Sequence, residues 1–547
     1  METVYDRALL EIGQNGYFQK KFDMCYNFLF AILWGMAYAN IFLALVIIPH
    51  RCQIPEKTEN ISDIDWKSKY IPISNDNTGK IVHSSCLMYE NPPENNRTRD
   101  CDDYDYDRTW YESTVASTNN WVCKDELNIA NILAISKISE AIGSLGFGWF
   151  GDAYGRRWTY ILSLAFLVLG RIISIVFSSS FTFFAIGCAL AWFPSWSVVQ
   201  SATVISMEIS SPERRSRTAT LRSIANSSSM FIMPFLYWWL RDWKTFMVVT
   251  TVTQLPFLLY SWKMIESPRW LWIEGKSKAC VRTLKIIAKG NKTNLGLDTE
   301  KDIMDNASQM NTRGTNTIGP LALFSGRRLA INTILQSYLW VSVAINYTIL
   351  MMKSGQKSDG NPFLEFAWQS VVEVPGALFG AWLADRVGRR YAGLISYTLT
   401  VLLWMSIALY ENGSGEWHLW WLVGTTLTIL TRLATATSYY VIYLFNMELY
   451  PTCLRQSGMS LGNLLASGGG AIAPYLLYIG HHVDVKLPYL ILAGFSVFGC
   501  LSFFLLPETL NMKLPETLKD AQEFGKNRRN YFSLIIKKYK AENNDTC

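Results

Sequence analysis

Long apolar segments separated by polar connections are the feature that most constrains how this chain folds. A helix that spans a bilayer needs about 20 mostly apolar residues. Twelve windows of the sequence meet this requirement: 26–48, 128–150, 158–177, 181–207, 224–240, 245–265, 329–352, 362–384, 391–410, 417–444, 458–479 and 487–506. Only 17% of the residues are charged, against roughly a quarter in soluble globular proteins, so we predict an all-α polytopic membrane protein.

The basic residues predict how these segments are oriented. Arginines follow the second, fourth, eighth and tenth segments, at Arg156 and Arg157, Arg214, Arg389 and Arg390, and Arg455. By the positive-inside rule, we expect these connections and both chain termini to be cytoplasmic in a multi-pass protein of the plasma membrane.

The net charge argues against one class of partner. Lys and Arg number 50 and Asp and Glu 44, which gives +6 over 547 residues, too little for electrostatic capture of nucleic acid. We therefore expect no nucleic acid as a partner. The apolar segments indicate the lipid bilayer as a partner, and we expect a monomeric protein.

The first of two long connections, 49–127, is acidic and rich in cysteine. It contains 15 acidic and 9 basic residues and lies outside the cell on the predicted topology. Four cysteines lie in it: Cys52, Cys86, Cys101 and Cys123. In an oxidising location they predict two disulfides, with three possible connectivities. Acceptor patterns predict glycosylation at Asn60 and Asn96.

The second long connection divides the chain into halves of six segments each. It is basic, with 11 basic and 6 acidic residues. The predicted domains are a cytoplasmic N-terminus (1–25), a first six-helix bundle (26–265), a cytoplasmic linker (266–328), a second six-helix bundle (329–506) and a cytoplasmic tail (507–547).

The two halves contain an internal repeat. A shift of 233 positions superposes Gly143 on Gly376, Trp149 on Trp382, Asp152 on Asp385, Gly155 on Gly388, Arg156 on Arg389 and Arg157 on Arg390. At a shift of 240, MEISSPERR from residue 207 matches MELYPTCLR from residue 447. Parallel halves of six spans are the architecture of the major facilitator fold, with 12 transmembrane helices.

Charged residues around these repeated turns are predicted to control a conformational change. They are Asp152, Arg156, Arg157, Glu208, Arg214, Asp385, Arg389, Arg390, Glu448 and Arg455. Their ion pairs would hold one closed state and break in the other. The alternative is that the arginines only fix the topology, which explains the charges but not the repeated aspartate and glycine.

Motifs along the whole chain resemble one family. They are GDAYGRRW from residue 151, ESPRWLW from 266, EVPGALFGAWLADRVGRR from 373, MELYPTCLR from 447 and LPETL from 506. With the Cys-containing loop after the first span, they resemble the organic cation, carnitine and organic anion transporters of the major facilitator superfamily. Sugar porters share some of these motifs, but their glutamine-rich seventh span is not reproduced here.

Two carboxylates are predicted to lie deep in the membrane. An ionisable side chain there costs about 2.5–3.5 kcal/mol, so each needs a partner or a purpose. Counting twelve residues back from the repeated aspartates places Glu140 and Glu373 about 18 Å inside. Glu140 is predicted either to bind an amine or to pair with Lys137. By resemblance, Glu373 and Arg432 either bind substrate or pair with each other.

Aromatic and polar side chains complete the predicted substrate site. Trp340 and Tyr347, on one face of the seventh span, match aromatic positions of the resembled family's cavity. Ring faces attract ammonium groups by roughly 0.5–2 kcal/mol. Further candidates are Tyr439, Asn40, Asn346 and Ser467. Ser467 stands where the family's cation carriers have aspartate and its anion and carnitine carriers arginine, so the charge class of the substrate stays open.

These observations predict a transporter and not an enzyme. We expect facilitated or secondary-active transport of small organic cations or zwitterionic amines, of the choline, carnitine, carcinine or β-alanine kind, by alternating access. No cofactor or metal site is predicted, and coupling to Na⁺ or H⁺ is left open. The alternatives are an organic anion or sugar transporter on the same fold, or a non-transporting membrane sensor.

Overall fold

The computed structural model describes residues 4–55, 63–75, 81–90, 97–310, 320–354, 361–411, 420–451, 454–510, 512, 515 and 518–524. Over its described residues, each of the twelve predicted segments lies mainly on one helix or on two or three consecutive helical segments. Among the described residues, six helical stretches are long and apolar enough, by length and composition, to cross a membrane: Tyr17–Ala44, Arg156–Val176, Phe181–Glu208, Arg327–Ser354, Arg389–Tyr410 and Leu487–Leu505.

In the first half, the predicted spans lie mostly in helices. Its helices are α1 (Val4–Ile12), α2 (Tyr17–Phe22), α3 (Phe30–Ala44), α4 (Asp63–Tyr70), α5 (Val115–Thr118), α6 (Leu127–Tyr154), α7 (Arg156–Val176), α8 (Phe181–Trp192), α9 (Ser195–Glu208), α10 (Pro212–Leu240), α11 (Trp243–Val252) and α12 (Leu255–Leu259). A π-helical segment, Asp23–Leu29, joins α2 to α3. The first span therefore begins nine residues earlier than the apolar window.

The linker and the second half follow the same pattern. The linker helices are α13 (Pro268–Ile273), α14 (Ser277–Asn291) and α15 (Leu297–Met310). The later helices are α16 (Arg327–Ser354), α17 (Pro362–Val371), α18 (Glu373–Val387), α19 (Arg389–Tyr410), α20 (Trp420–Leu449), α21 (Arg455–Gly470), α22 (Ala473–His482), α23 (Leu487–Leu505) and α24 (Leu518–Glu523). Short 3₁₀ turns lie at Cys123–Asp125, Ser261–Lys263 and Pro320–Phe324.

Three predicted spans are interrupted by proline. The helices α11, α17 and α21 end at Val252, Val371 and Gly470, each four residues before a proline, Pro256, Pro375 and Pro474. Proline has no N–H to donate to the carbonyl four residues earlier, and its ring collides with that carbonyl. The helical ladder therefore breaks there, and a second helix continues the span.

The long loop between α3 and α6 adds a small β structure to an otherwise helical chain. Three antiparallel pairs form, β1 (His50–Cys52) with β6 (Tyr104–Tyr106), β2 (Ile73–Asn75) with β3 (Ile81–His83), and β4 (Leu87–Tyr89) with β5 (Thr98–Asp100). Disulfides join Cys52 to Cys101 and Cys86 to Cys123. The prediction of two disulfides is confirmed, with one of the three connectivities selected. Asn60 and Asn96 lie outside the described residues.

The two ends of the bundle differ. We call the end that carries the long loop the loop face, and the end that carries α13–α15 the linker face. On the linker face, α1 packs on the linker, where Arg7 pairs with Asp302 at 3.3 Å and Glu11 accepts the Gly296 N–H at 2.9 Å. The N-terminus and the linker therefore form one unit beside the bundle.

At the loop face, the two halves are in contact. The ring of Phe363 lies 4.8 Å from that of Tyr111 in the loop and 5.7 Å from that of Tyr237 on α10. Nearby, the Tyr475 hydroxyl donates to Asn131 at 2.9 Å. These contacts close the loop face between the first and second halves.

Candidate functional site

Glu140 lies in a buried cluster of the first half. Its residue is 2% exposed, and its carboxylate accepts hydrogen bonds from Lys137 Nζ at 3.0 Å, from the Tyr38 hydroxyl at 3.3 Å and from the indole N–H of Trp196. Of the two alternatives for Glu140, this structure contains the ion pair with Lys137. The pair is electrically neutral, so the glutamate charge is already compensated.

Lys137 is held by aromatic faces. Its Nζ lies 4.8 Å from the ring centroid of Trp192 and 5.6 Å from that of Tyr38, whose hydroxyl accepts its hydrogen bond at 3.0 Å. The side chain reaches α21 of the second half, where a Cβ on Gly470 would lie 3.5 Å from Lys137 Cδ. Lys137 of the first half therefore packs against Gly470 of the second half.

Glu373 forms a second neutral pair, in the other half. Arg432 Nε donates to its carboxylate at 2.9 Å, and the Tyr347 hydroxyl donates at 3.0 Å. The guanidinium lies 4.5 Å from the Tyr347 ring centroid, and Nη2 lies 2.8 Å from Met351 Sδ. The two repeat-related glutamates thus each bind one base and one tyrosine hydroxyl, although Lys137 is on the glutamate's own helix and Arg432 is on a neighbour.

Tyr439 on α20 lies beside the Glu140 cluster. It is 41% exposed and close enough to Glu140, Lys137 and Arg222 to interact electrostatically with all three. Its ring packs edge-on against Trp340, at 5.5 Å between centroids. Trp340 itself is 1% exposed, so it is the buried partner in this contact, while Tyr439 keeps an exposed surface.

Arg222 is a site residue that hydropathy did not reveal. It lies ten residues into α10, about 15 Å along the helix, beside Tyr439 and Tyr443. In the part of the chain that the structure describes, it forms no ion pair or hydrogen bond. The apolar window began only at residue 224, but the helix begins at Pro212, where proline in the first turn is a typical helix-start signal.

Three predicted substrate residues are not brought into this cluster. Asn40 donates to Thr250 at 2.9 Å and is fully buried within the first half. Asn346 accepts the indole N–H of Trp404 at 2.6 Å. Ser467 is buried on α21, three residues before Gly470. The two asparagines therefore join helices within one half.

The linker-face turn of the first half is held by a linker carboxylate. Glu266 accepts the backbone N–H groups of Arg156 at 2.8 Å and Arg157 at 3.1 Å. Burial raises the pKa of the Glu266 carboxyl group. The Arg156 guanidinium pairs with Asp152 at 3.0 Å, and Gly155 between them has φ +102°.

The second half repeats this arrangement. Glu508 accepts the backbone N–H groups of Arg389 at 2.9 Å and Arg390 at 3.1 Å. Arg389 pairs with Asp385 at 3.2 Å, and Gly388 has φ +105°. ESPRW and LPETL thus supply equivalent carboxylates, at Glu266 and Glu508, to equivalent turns.

The remaining predicted gating residues also bind partners in their own half or its linker. Glu208 accepts the Ser267 hydroxyl, and Glu448 accepts the Thr509 hydroxyl at 2.5 Å. Arg214 pairs at 2.7 Å with Asp23, a buried carboxylate that sequence analysis left in the N-terminal segment. The Arg455 side chain lies outside the described residues. In this conformation these contacts brace each half internally.

The site opens toward the linker face. Tyr443, one turn beyond Tyr439 on that side, is 43% exposed, and Asp152 and Asp385 side chains are each 72% exposed. The contacts of Phe363 close the opposite end. The structure therefore has a central site accessible from one face.

Comparison with known proteins agrees with this architecture. The family model described as "Sugar (and other) transporter" matches residues 95–520. The Drosophila melanogaster "Organic cation transporter protein" is 26% identical, with 95% of each chain covered, and the Mus musculus "Solute carrier family 22 member 3" is 26% identical, covering 95% of this chain and 96% of that one. The Drosophila melanogaster "Beta-alanine transporter" is 24% identical, with 95% and 89% covered.

Solved structures show the same fold. The proton:xylose symporter XylE bound to 6-bromo-6-deoxy-D-glucose superposes with a TM-score of 0.56 at 14% identity, covering 93% of this chain and 100% of that one. A partially occluded inward-open XylE from E. coli gives 0.58 at 13% identity, with 90% and 100% covered. The chain is thus a multi-pass membrane transporter and not an enzyme. It belongs to the sugar (and other) transporter family of the major facilitator superfamily, and is of the solute carrier family 22 type.

Proposed function

We propose that this protein carries small organic cations or zwitterionic amines across the plasma membrane by alternating access. The observation that carries the proposal is the central site, where the exposed Tyr439 lies close to the neutral pair Lys137–Glu140, and where the other half contains the equivalent pair Arg432–Glu373. Aromatic faces bind ammonium groups, and a lysine ammonium already occupies two of them. Relatives named for organic cations and β-alanine support this substrate range.

Transport on this proposal is a rocking of the halves 26–265 and 329–506 about the central site. The linker face lies in the cytoplasm, because basic loops accumulate there. Opening the loop face separates Phe363 from Tyr111 and Tyr237, while the ion pairs within each half stay formed. Because the Lys137–Glu140 and Arg432–Glu373 pairs are neutral, neither pair adds an uncompensated charge to its half as that half moves.

An uptake panel tests the proposal. The full chain in proteoliposomes is given radiolabelled choline, carnitine, β-alanine, p-aminohippurate and glucose, in sodium and sodium-free buffer and with and without a pH gradient. We expect saturable uptake of the cation or the zwitterions, with sodium or proton dependence showing any coupling ion. Uptake of glucose alone would indicate a sugar transporter, and uptake of p-aminohippurate alone would indicate an organic anion transporter. Binding without uptake would favour a sensor.

A further inference from the structure

The charges around the central site do not cancel. Glu140 and Glu373 are each neutralised by a base, Lys137 and Arg432, while Arg222 and Arg171, which is buried beside Tyr38, remain. Two carboxylates against four basic groups give 4 − 2 = +2. The site that is proposed to receive an amine therefore has a net positive charge before the substrate enters.

Arg222 is placed to receive an anion. It lies partly exposed about 15 Å along α10 from Pro212 and two residues before the apolar part of that helix begins. Within the described chain, no carboxylate reaches it. Its neighbours Tyr439 and Tyr443 are 41% and 43% exposed, so a molecule entering from the linker face reaches the guanidinium beside their rings.

Resting on the proposed function, we propose that Arg222 binds a carboxylate of the substrate, so that the preferred substrate is a zwitterion with one ammonium and one carboxylate group. The guanidinium offers several N–H donors in a plane that matches a carboxylate. The exposed rings of Tyr439 and Tyr443 next to it supply faces for the ammonium group. A zwitterion therefore satisfies Arg222 and adds no net charge to the site, whereas a simple cation leaves the arginine unpaired.

A matched set of probes separates the two charges. Choline and glycine betaine share a trimethylammonium group and differ in carrying a hydroxyl or a carboxylate, and 3,3-dimethylbutyrate keeps the carboxylate without the cation. Uptake of each, and of β-alanine, is measured with the full chain in proteoliposomes for the wild type, Arg222→Gln and the charge-conserving Arg222→Lys. Ratios of uptake within one preparation cancel differences in the amount of folded protein.

We expect the wild type to prefer a zwitterion, glycine betaine or β-alanine, over choline and over 3,3-dimethylbutyrate. Arg222→Gln lowers the zwitterion-to-choline ratio by about tenfold or more, as expected for losing a hydrogen bond to a charged group, and Arg222→Lys keeps most of it. A ratio that Arg222→Gln leaves unchanged overturns the role of Arg222 while transport itself stands. Wild-type protein that transports none of the probes overturns the proposed function instead.

An inorganic anion could supply the same chemistry, and a further arm distinguishes it. Chloride is replaced by gluconate on both sides of the membrane. If Arg222 binds the substrate carboxylate, zwitterion uptake is unchanged by this replacement. If chloride is the anion, wild-type uptake of choline falls without chloride and Arg222→Gln removes that dependence, which overturns the proposal.

Discussion

Arg389 holds Glu448 through two nitrogens, Nε at 3.1 Å and Nη2 at 3.0 Å. Their repeat equivalents in the first half, Arg156 and Glu208, form no ion pair with each other in the described chain. Arg156 turns instead to the Gly151 carbonyl at 2.8 Å and to Asp152. Two halves with the same turn motif are therefore braced unequally at the linker face.

This inequality predicts unequal effects of matched substitutions. Glu448→Gln weakens a two-point charge-assisted contact and should lower transport by about tenfold, whereas Glu208→Gln should lower it less than threefold. Initial uptake rates normalised to surface protein provide the measurement. Equal losses in the two variants would show that this structural asymmetry has no part in the transport cycle.

The Lys137–Glu140 pair predicts a non-additive result. Glu140→Gln leaves a buried lysine uncompensated and should destabilise the protein by about 3–5 kcal/mol, while Lys137→Met with Glu140→Gln should recover part of that loss. Thermal unfolding of the purified variants measures the coupling. Additive losses would contradict the pairing, and undiminished cation uptake by Glu140→Gln would remove this glutamate from the transport mechanism.

The disulfides predict a peptide map. Non-reducing digestion should yield the pairs Cys52–Cys101 and Cys86–Cys123. Removing both partners of one pair by serine substitution should cost about 2–4 kcal/mol of stability, because the unfolded loop regains conformational freedom. Recovery of either alternative connectivity would contradict the structure, and the single and double serine variants together separate loss of the bond from a free thiol.

The positive φ angles at the repeated turns predict a glycine requirement. Gly155→Ala strains the backbone and places a Cβ 2.3 Å from Glu266 Oε2, so it should cost at least about 1–3 kcal/mol. Gly146→Ala is the matched control, since a Cβ there meets no atom within 4 Å. The measurement is the melting temperature of both variants in detergent, after their expression levels have been compared. Similar melting temperatures for the two variants would contradict the glycine requirement.

His50 predicts an acid-sensitive loop. Burial lowers the pKa of His50, so the folded loop binds a proton less readily than the unfolded loop. The stability that neutral His50 contributes to the loop is fully present above the usual imidazole range, and it falls as the pH drops below about 6.5. His50→Gln should reduce the loss of melting temperature between about pH 7.5 and about pH 5.5. His83→Gln in the same loop is the control, and equal acid sensitivity in wild type and His50→Gln would refute the assignment.

Much of the fold follows from hydropathy, because length and apolarity determine which segments are helical. The starts of the helices did not follow from hydropathy, because the first turns of some helices are polar. Asp23 and Arg222 both lie before an apolar window and yet within a helix. A proline or a capping residue upstream marks such starts better than apolarity does.

The sequence indicated which charged residues are buried, but not which side chains face one another. The repeat predicts matching depths for Glu140 and Glu373, and both lie in buried clusters. Asn40 and Asn346 are also in the apolar spans, yet they bind Thr250 and Trp404. One residue turns a helix by about 100°, so which side chains face the centre depends on packing between helices that no single window contains.

The contact of Tyr111 with Phe363 has a consequence for the speed of transport. The loop that carries Tyr111 is fastened by two disulfides and touches both halves where they must part. Each opening of the loop face has to separate the rings of Tyr111 and Phe363 and expose them to water. In the proposed transport cycle the loop therefore slows turnover, and a change in the loop or a molecule bound to the loop face would adjust the rate without any change at the residues proposed to hold the substrate.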